Sequence, residues 1–82
     1  MILKDLLKKN KQVVILTNNN NRKKFLSQAK KECFVWRNGD AIKKNDECFF
    51  HTLISSDNTI SNVSAMCYVK SKELQSIPVY KY

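Results

Sequence analysis

The sequence is short of the side chains from which most catalytic and metal sites are built. Its 82 residues hold one histidine, one glycine, one proline and one tryptophan. Seven acidic residues stand against fifteen lysines and arginines. No apolar run reaches the roughly 18 residues of a membrane span. His51 has no paired carboxylate or second base nearby in the sequence, which general acid–base chemistry would need. Three cysteines, Cys33, Cys48 and Cys67, lie fifteen and nineteen residues apart. That spacing is neither a disulfide framework nor a CxxC pattern. With only His51 to join them they assemble no zinc site. Each cysteine falls in an apolar run, so buried free thiols and a reducing compartment are expected. A chain this small buries only about 60% of its unfolded surface, which leaves no room for a deep cofactor cleft. The expectation is a protein without metal or cofactor and without enzymatic activity. MILKDLLKKN at the start has an apolar face broken by charges, unlike a signal peptide. A soluble, cytoplasmic protein that does not enter a membrane is therefore expected.

What is present is enough for a core. Leu, Ile, Val and Phe make up 23 of the 82 residues, above the roughly 20% below which highly charged chains tend to disorder. One domain over 1–82 follows. Ile2, Leu3, Leu6 and Leu7 recur on one face of a short helix over 2–10. Gln12-Val-Val-Ile-Leu-Thr17 is β-branched and unbroken by charge, which predicts a central strand covered on both faces. The Asn18–Asn21 tract supplies side chains that cap helices. Over 22–31, Phe25, Leu26 and Ala29 fall on one side of a helix, with Lys23, Lys24, Ser27, Lys30 and Lys31 on the other.

The β-rich run Cys33–Arg37 leads into Asn38-Gly39, the strongest short hairpin signal, with Ala41-Ile42 returning. The only glycine sits there, where a positive φ costs least. Lys43–Asp46 and Ser55–Asn58 read as turns around a strand from Cys48 to Ile54, with Thr59–Ser61 starting its return. Residues 63–74 fit either a helix or an extension of that strand. Pro78 restricts the last segment to an edge strand or a tail. The order α-β-α-β-β-β indicates an α+β fold, with helices packed on one face of a small, mostly antiparallel sheet. The strand at 13–17, the second helix and the strand at 33–37 form a candidate right-handed unit.

The charge is unevenly divided. Residues 1–44 carry twelve lysines and arginines against three acids, a net +9, and residues 45–82 carry a net −1. Such clustering is what binding nucleic acid through its phosphates requires. Thirteen of the fifteen basic residues are lysine. Lysine meets phosphate as a point charge, whereas bidentate base reading favours arginine, so backbone contact with little sequence selection is expected. Solvated helix faces are the alternative reading. The expected RNA-binding residues are Arg22, Lys23, Lys24, Lys30, Lys31, Arg37, Lys43 and Lys44 at phosphates, with Trp36 as the stacking residue.

Trp36 either stacks a single-stranded base beside Arg37 or packs on the sheet. Phe49 and Phe50 are expected on opposite faces of a strand, one of them in the core. Asp40 and Asp46 are expected to serve turns through local hydrogen bonds. The last residues, Val79–Tyr82, are expected to expose aromatics on an edge that pairs two copies into a homodimer.

The run Phe34-Val-Trp-Arg-Asn-Gly-Asp40 after a βα unit resembles a motif of small phage-encoded α+β proteins. The likeness rests on Trp36, Gly39 and the strand order, over about residues 12–82. The basic, Lys/Asn-rich composition also resembles early proteins of T4-like phages, among them inhibitors of host toxin–antitoxin systems. That likeness implies RNA-bridged contact with an endoribonuclease toxin in the host cytoplasm, by a small dimer. The chain is also similar in size and charge to HicA-like mRNA interferases, whose active histidine lies in a Gly-Ser-His turn. The comparable turn here, Arg37–Asp40, has no histidine. The leading expectation is a non-enzymatic RNA-binding inhibitor of a host defence system. The alternatives are a protein–protein inhibitor docking on an acidic host surface, and a small ribonuclease using His51.

Overall fold

In the computed structural model, which describes residues 2–82, the apolar run Gln12–Leu16 is strand β1, lying inside the sheet between two neighbours. It is preceded by helix α1 (Leu3–Leu6) and followed by helix α2 (Arg22–Lys31). Then come the short β2 (Val35–Trp36), the hairpin β3 (His51–Ser55) and β4 (Thr59–Val63), two short helices α3 (Ala65–Lys70) and α4 (Lys72–Gln75), and β5 (Val79–Lys81). The strand order is β2-β4-β3-β1-β5. β3 runs antiparallel to both β1 and β4, with five-residue registers such as Val13 opposite Ile54 and Ile54 opposite Ile60. The two edge strands are parallel to their neighbours. The sheet is therefore mixed, with an antiparallel centre.

Period-two alternation along β1 sends Val13 and Ile15 to one face and Val14 to the other, and all three are buried. On the first face Val13, Ile15, Ile54 and Ile60 pack against Leu3 of α1 and against Phe25, Leu26 and Ala29 of α2. These three α2 residues are the apolar side expected from helical spacing. On the second face Val14, Leu53 and Val63 are met by Tyr68, Leu74 and Ile77. The helices are thus not confined to one face. The segment left open between helix and strand supplies a thinner second layer, because Ser64 and Ser71 accept hydrogen bonds at 3.1 Å from the backbone N–H groups of Cys67 and Leu74 and start two helical turns.

Other expectations are corrected. The first helix stops at Leu6, short of Asn10. Asn21 makes no side-chain cap. Instead the Asn18 carboxamide oxygen accepts from the N–H groups of Asn20 and Asn21, and the tract folds on itself as a turn. Cys48 is buried but Cys33 and Cys67 are exposed. Cys33 occupies the left-handed position after α2 (φ 67°). There its N–H bonds to Lys30 and the Phe34 N–H to Ala29, the pattern of a Schellman cap. Solvent faces that position because it lies beyond the helix end. Gly39, at φ 94°, sits in the turn where Trp36 N–H bonds to Asp40, as expected. The return of that hairpin is a single bridge, Val35 to Ala41.

β5 is an edge strand, as Pro78 required, but its aromatics turn inward. Tyr80 and Tyr82 pack on the core, and the Tyr82 ring meets Phe25 edge-on at 5.5 Å between centroids. Burial, and then the Glu32 charge, raise the Tyr82 phenol above its ordinary value. Tyr82 donates its hydroxyl hydrogen to Gln28, and Gln28 donates to Glu32 at 2.8 Å. Glu32 in turn accepts from the backbone N–H groups of Leu3 and Lys4 at 2.8 and 2.9 Å. One carboxylate from the end of α2 therefore caps the start of α1, a role that no local motif announces. Glu32→Ala leaves both donors without it. Its unfolding free energy, from urea melts with an unchanged m value, is expected to fall by about 1–3 kcal/mol. A loss within about 0.5 kcal/mol would match an ordinary surface site and refute the cap.

Candidate nucleic-acid interface

Burying Phe25, Leu26 and Ala29 orients the rest of α2. Lys23, Lys24, Lys30 and Lys31 are exposed on its outer side. Lys23 and Lys30, seven residues apart, lie on the same flank, two helical turns from one another. That flank faces the loop after the Asn38-Gly39 turn. Between them is a groove of about 260 Å³ lined by Lys23, Leu26, Ser27, Lys30, Ile42, Lys43, Lys44 and Asp46. Four of the eight expected cationic contacts thus converge, although they are up to 21 residues apart in the chain. Among the described residues the one ion pair in direct contact is Lys8–Asp5 at 3.1 Å, so no groove lysine touches a carboxylate, although the charges of Lys43 and Lys30 reach Asp46. Ile42 and Leu26 are buried beneath them and give the groove an apolar floor.

Asp46 holds the loop in place. Its carboxylate accepts from the Lys43 backbone N–H and from the Trp36 indole N–H, both at 2.8 Å. The Lys43 backbone bond, then the Trp36 bond, then the charges of Lys43 and Lys30 hold its carboxyl below the usual value. The Trp36 indole is half-buried, packed against the core with its N–H donated to Asp46. Its role at the groove is to anchor the Lys43–Lys44 loop.

The other expected residues lie apart from the groove. Lys24 and Lys31 sit on the outward crest of α2, rotated by about a quarter turn from Lys23 and Lys30. Arg37, exposed beyond β2, is placed by its backbone bond to Ile60 and lies near Asp57. The Thr59 hydroxyl, more than the Arg37 charge, holds the Asp57 carboxyl below its usual value. Arg22 turns to a different side. Its guanidinium donates to the Cys48 carbonyl at 2.8 Å and to Asn19 at 3.1 Å, and lies 4.9 Å from the centre of the Phe50 ring.

Arg22 borders a second cavity, of about 390 Å³, with Phe49, Phe50, His51, Val63, Ser64 and Ala65. Neither phenylalanine is in the core: they are 50% and 46% exposed. The expected alternation fails because β3 begins only at His51, leaving 47–50 without strand geometry. The His51 ring stacks on Tyr68 at 4.4 Å, and among the described residues it has no hydrogen-bonded carboxylate. No three His, Cys, Asp or Glu side chains come together as metal ligands among the described residues. No helix among them is long and apolar enough to cross a membrane.

The chain matches no protein-family model, no curated protein and no solved structure.

Trp36 is the sole tryptophan, so its fluorescence reports the Asp46 tie directly. A lowered carboxyl pKa means that the tie holds above the ordinary value of about 3.9 and is lost as pH falls through a still lower value. Trp36 emission is expected to shift with a midpoint below 3.9, and Asp46→Asn is expected to remove that transition. A midpoint at or above 3.9 would contradict the tie.

Proposed function

We propose that this protein binds RNA through its phosphates, with Lys23, Lys30, Lys43 and Lys44 as the principal contacts and Lys24, Lys31 and Arg37 as outlying ones. The carrying observation is the convergence of four exposed lysines from two separate elements on one groove that holds a single carboxylate. A phosphate backbone is a linear array of negative charge, and displaced counterions supply the driving force for binding it. The near-neutral 45–82 half supplies no competing patch. Lysine's preponderance over arginine supports contact without base discrimination by the groove.

In this reading the protein acts without catalysis; His51 is stacked on Tyr68 and, among the described residues, has no hydrogen-bonded carboxylate. The likeness in size, charge and Lys/Asn-rich composition to toxin–antitoxin inhibitors of T4-like phages supports a role as a phage-type inhibitor of a host defence ribonuclease in the host cytoplasm. β5 has a strand neighbour on one side only, and that free edge supports a homodimer paired through it. A second reading, an inhibitor docking on an acidic host protein without nucleic acid, draws on Met66 and Val69, apolar side chains 63% and 70% exposed on α3. A nucleic-acid-free complex with such a protein would favour it.

The direct test is binding to mixed single-stranded RNA over a salt series. Each phosphate contact contributes a slope of about 0.7 in log affinity against log salt. Replacing Lys23, Lys30, Lys43 and Lys44 with Ala is expected to make the slope shallower by about 3 and to weaken binding at low salt at least tenfold. Lys70→Ala with Lys72→Ala is expected to change little. Salt-independent binding, equal losses from the two sets, or no binding by the wild type would overturn the proposal.

A further inference from the structure

The segment 48–50 is unusual in being tied by many hydrogen bonds while its two phenylalanines turn outward. Phe49 N–H donates to Asn62 at 2.9 Å, and the hydroxyls of Thr52 and Thr17 donate to the Phe49 carbonyl at 3.2 and 3.4 Å. Thr17 N–H donates to the Phe50 carbonyl at 2.9 Å, and Arg22 donates to the Cys48 carbonyl. Five hydrogen bonds fix a backbone whose two aromatic rings are left half in water. Exposed apolar area of this kind forgoes the stabilisation that its removal from solvent would give. Pinning the backbone that carries two rings pre-organises their placement for a ligand, because that backbone has little freedom left to lose on binding.

We propose that the cavity bordered by Arg22, Phe49, Phe50 and His51 holds an unpaired nucleobase of the RNA whose phosphates lie along the lysine groove. This rests on the RNA-binding reading above and adds a second subsite to it. The cavity volume, about 390 Å³, falls in the range of small-molecule sites, about 300–1,000 Å³. Its lining contains an arginine, a histidine and two phenylalanines and no carboxylate, so it complements a flat ring carrying a phosphate. Aromatic faces accept any base by stacking, and a guanidinium seated on one of them extends the platform. Arg22 and Lys23 are consecutive at the start of α2, and Lys23 lines the lysine groove. A strand can therefore pass from one cavity to the other around that helix end. The consequence is a preference for unpaired over paired strands, although the groove itself reads no sequence.

Three labelled ligands of equal length separate the contributions: a single-stranded RNA, the same backbone without bases, and the RNA as a duplex. Wild-type protein is expected to bind the single strand about tenfold or more tighter than the abasic strand. Phe49→Ala with Phe50→Ala is expected to collapse that ratio to about one while leaving abasic affinity unchanged. Phe49→Tyr with Phe50→Tyr is expected to preserve it. Circular dichroism checks folding, and Phe49→Ala alone is read the same way if the double variant does not fold. Equal binding of all three ligands by the wild type, or an undiminished ratio in the alanine variant, overturns the base site while RNA binding stands. Failure to bind any of the three at low salt removes the RNA reading and the base site with it. Loss of dimerisation in the alanine variant, with the ratio intact, would assign the two rings to self-association instead.

Discussion

β1 is buried on both faces, and most of the architecture answers that constraint. Val13 and Ile15 point one way and Val14 the other, so neither side of the strand tolerates water. α2 provides the thicker cover and the short helices α3 and α4 the thinner. Once Phe25, Leu26 and Ala29 of α2 are drawn onto the sheet, helical geometry leaves its lysines no choice but the outer surface. Charge display is in this sense a product of core formation. The same packing brings Ile42 beneath the α2 flank and carries Lys43 and Lys44 to the groove.

Four like charges around one groove repel, and Asp46 moderates that locally. It is the single carboxylate of the groove lining and is engaged twice, by a backbone N–H and by the Trp36 indole. Its net effect leaves the groove strongly positive while fixing the loop that carries half of the lysines. Glu32 plays a comparable part at the other end of α2, where it accepts from two backbone donors of α1 and reaches Tyr82 through Gln28. The few acids in the first half of the chain and at its boundary are used largely as structural acceptors.

Elements with one dominant pattern were legible in the sequence. The apolar run of β1, the amphipathic spacing of α2, the Asn38-Gly39 turn and the edge position forced by Pro78 all stand in the structure. So does the α+β class. What escaped the sequence depends on contacts between distant residues or on weak local patterns. Residues 65–75 expose Met66, Cys67 and Val69, so hydrophobic periodicity gave no inward face to follow. Phe49 and Phe50 read as alternating strand residues, but Arg22 and Asn62, 26 and 13 residues away, bind that backbone outside the ladder. Of the candidate site, the lysines of α2 were visible as a face, whereas their meeting with Lys43 and Lys44, the departure of Arg22 and the anchoring of Trp36 are tertiary facts.

If the protein binds RNA as proposed, the position of its lysines, rather than net charge, sets the affinity. A variant with its charges relocated separates the two. Lys23, Lys30, Lys43 and Lys44 become Ser, and the exposed Ser56, Met66, Cys67 and Val69 become Lys, which keeps the formal charge at +8. This variant, folded and equally basic, is expected to lose at least tenfold in affinity for single-stranded RNA at moderate salt. Affinity equal to the wild type would contradict it, because then any arrangement of the same charge would serve.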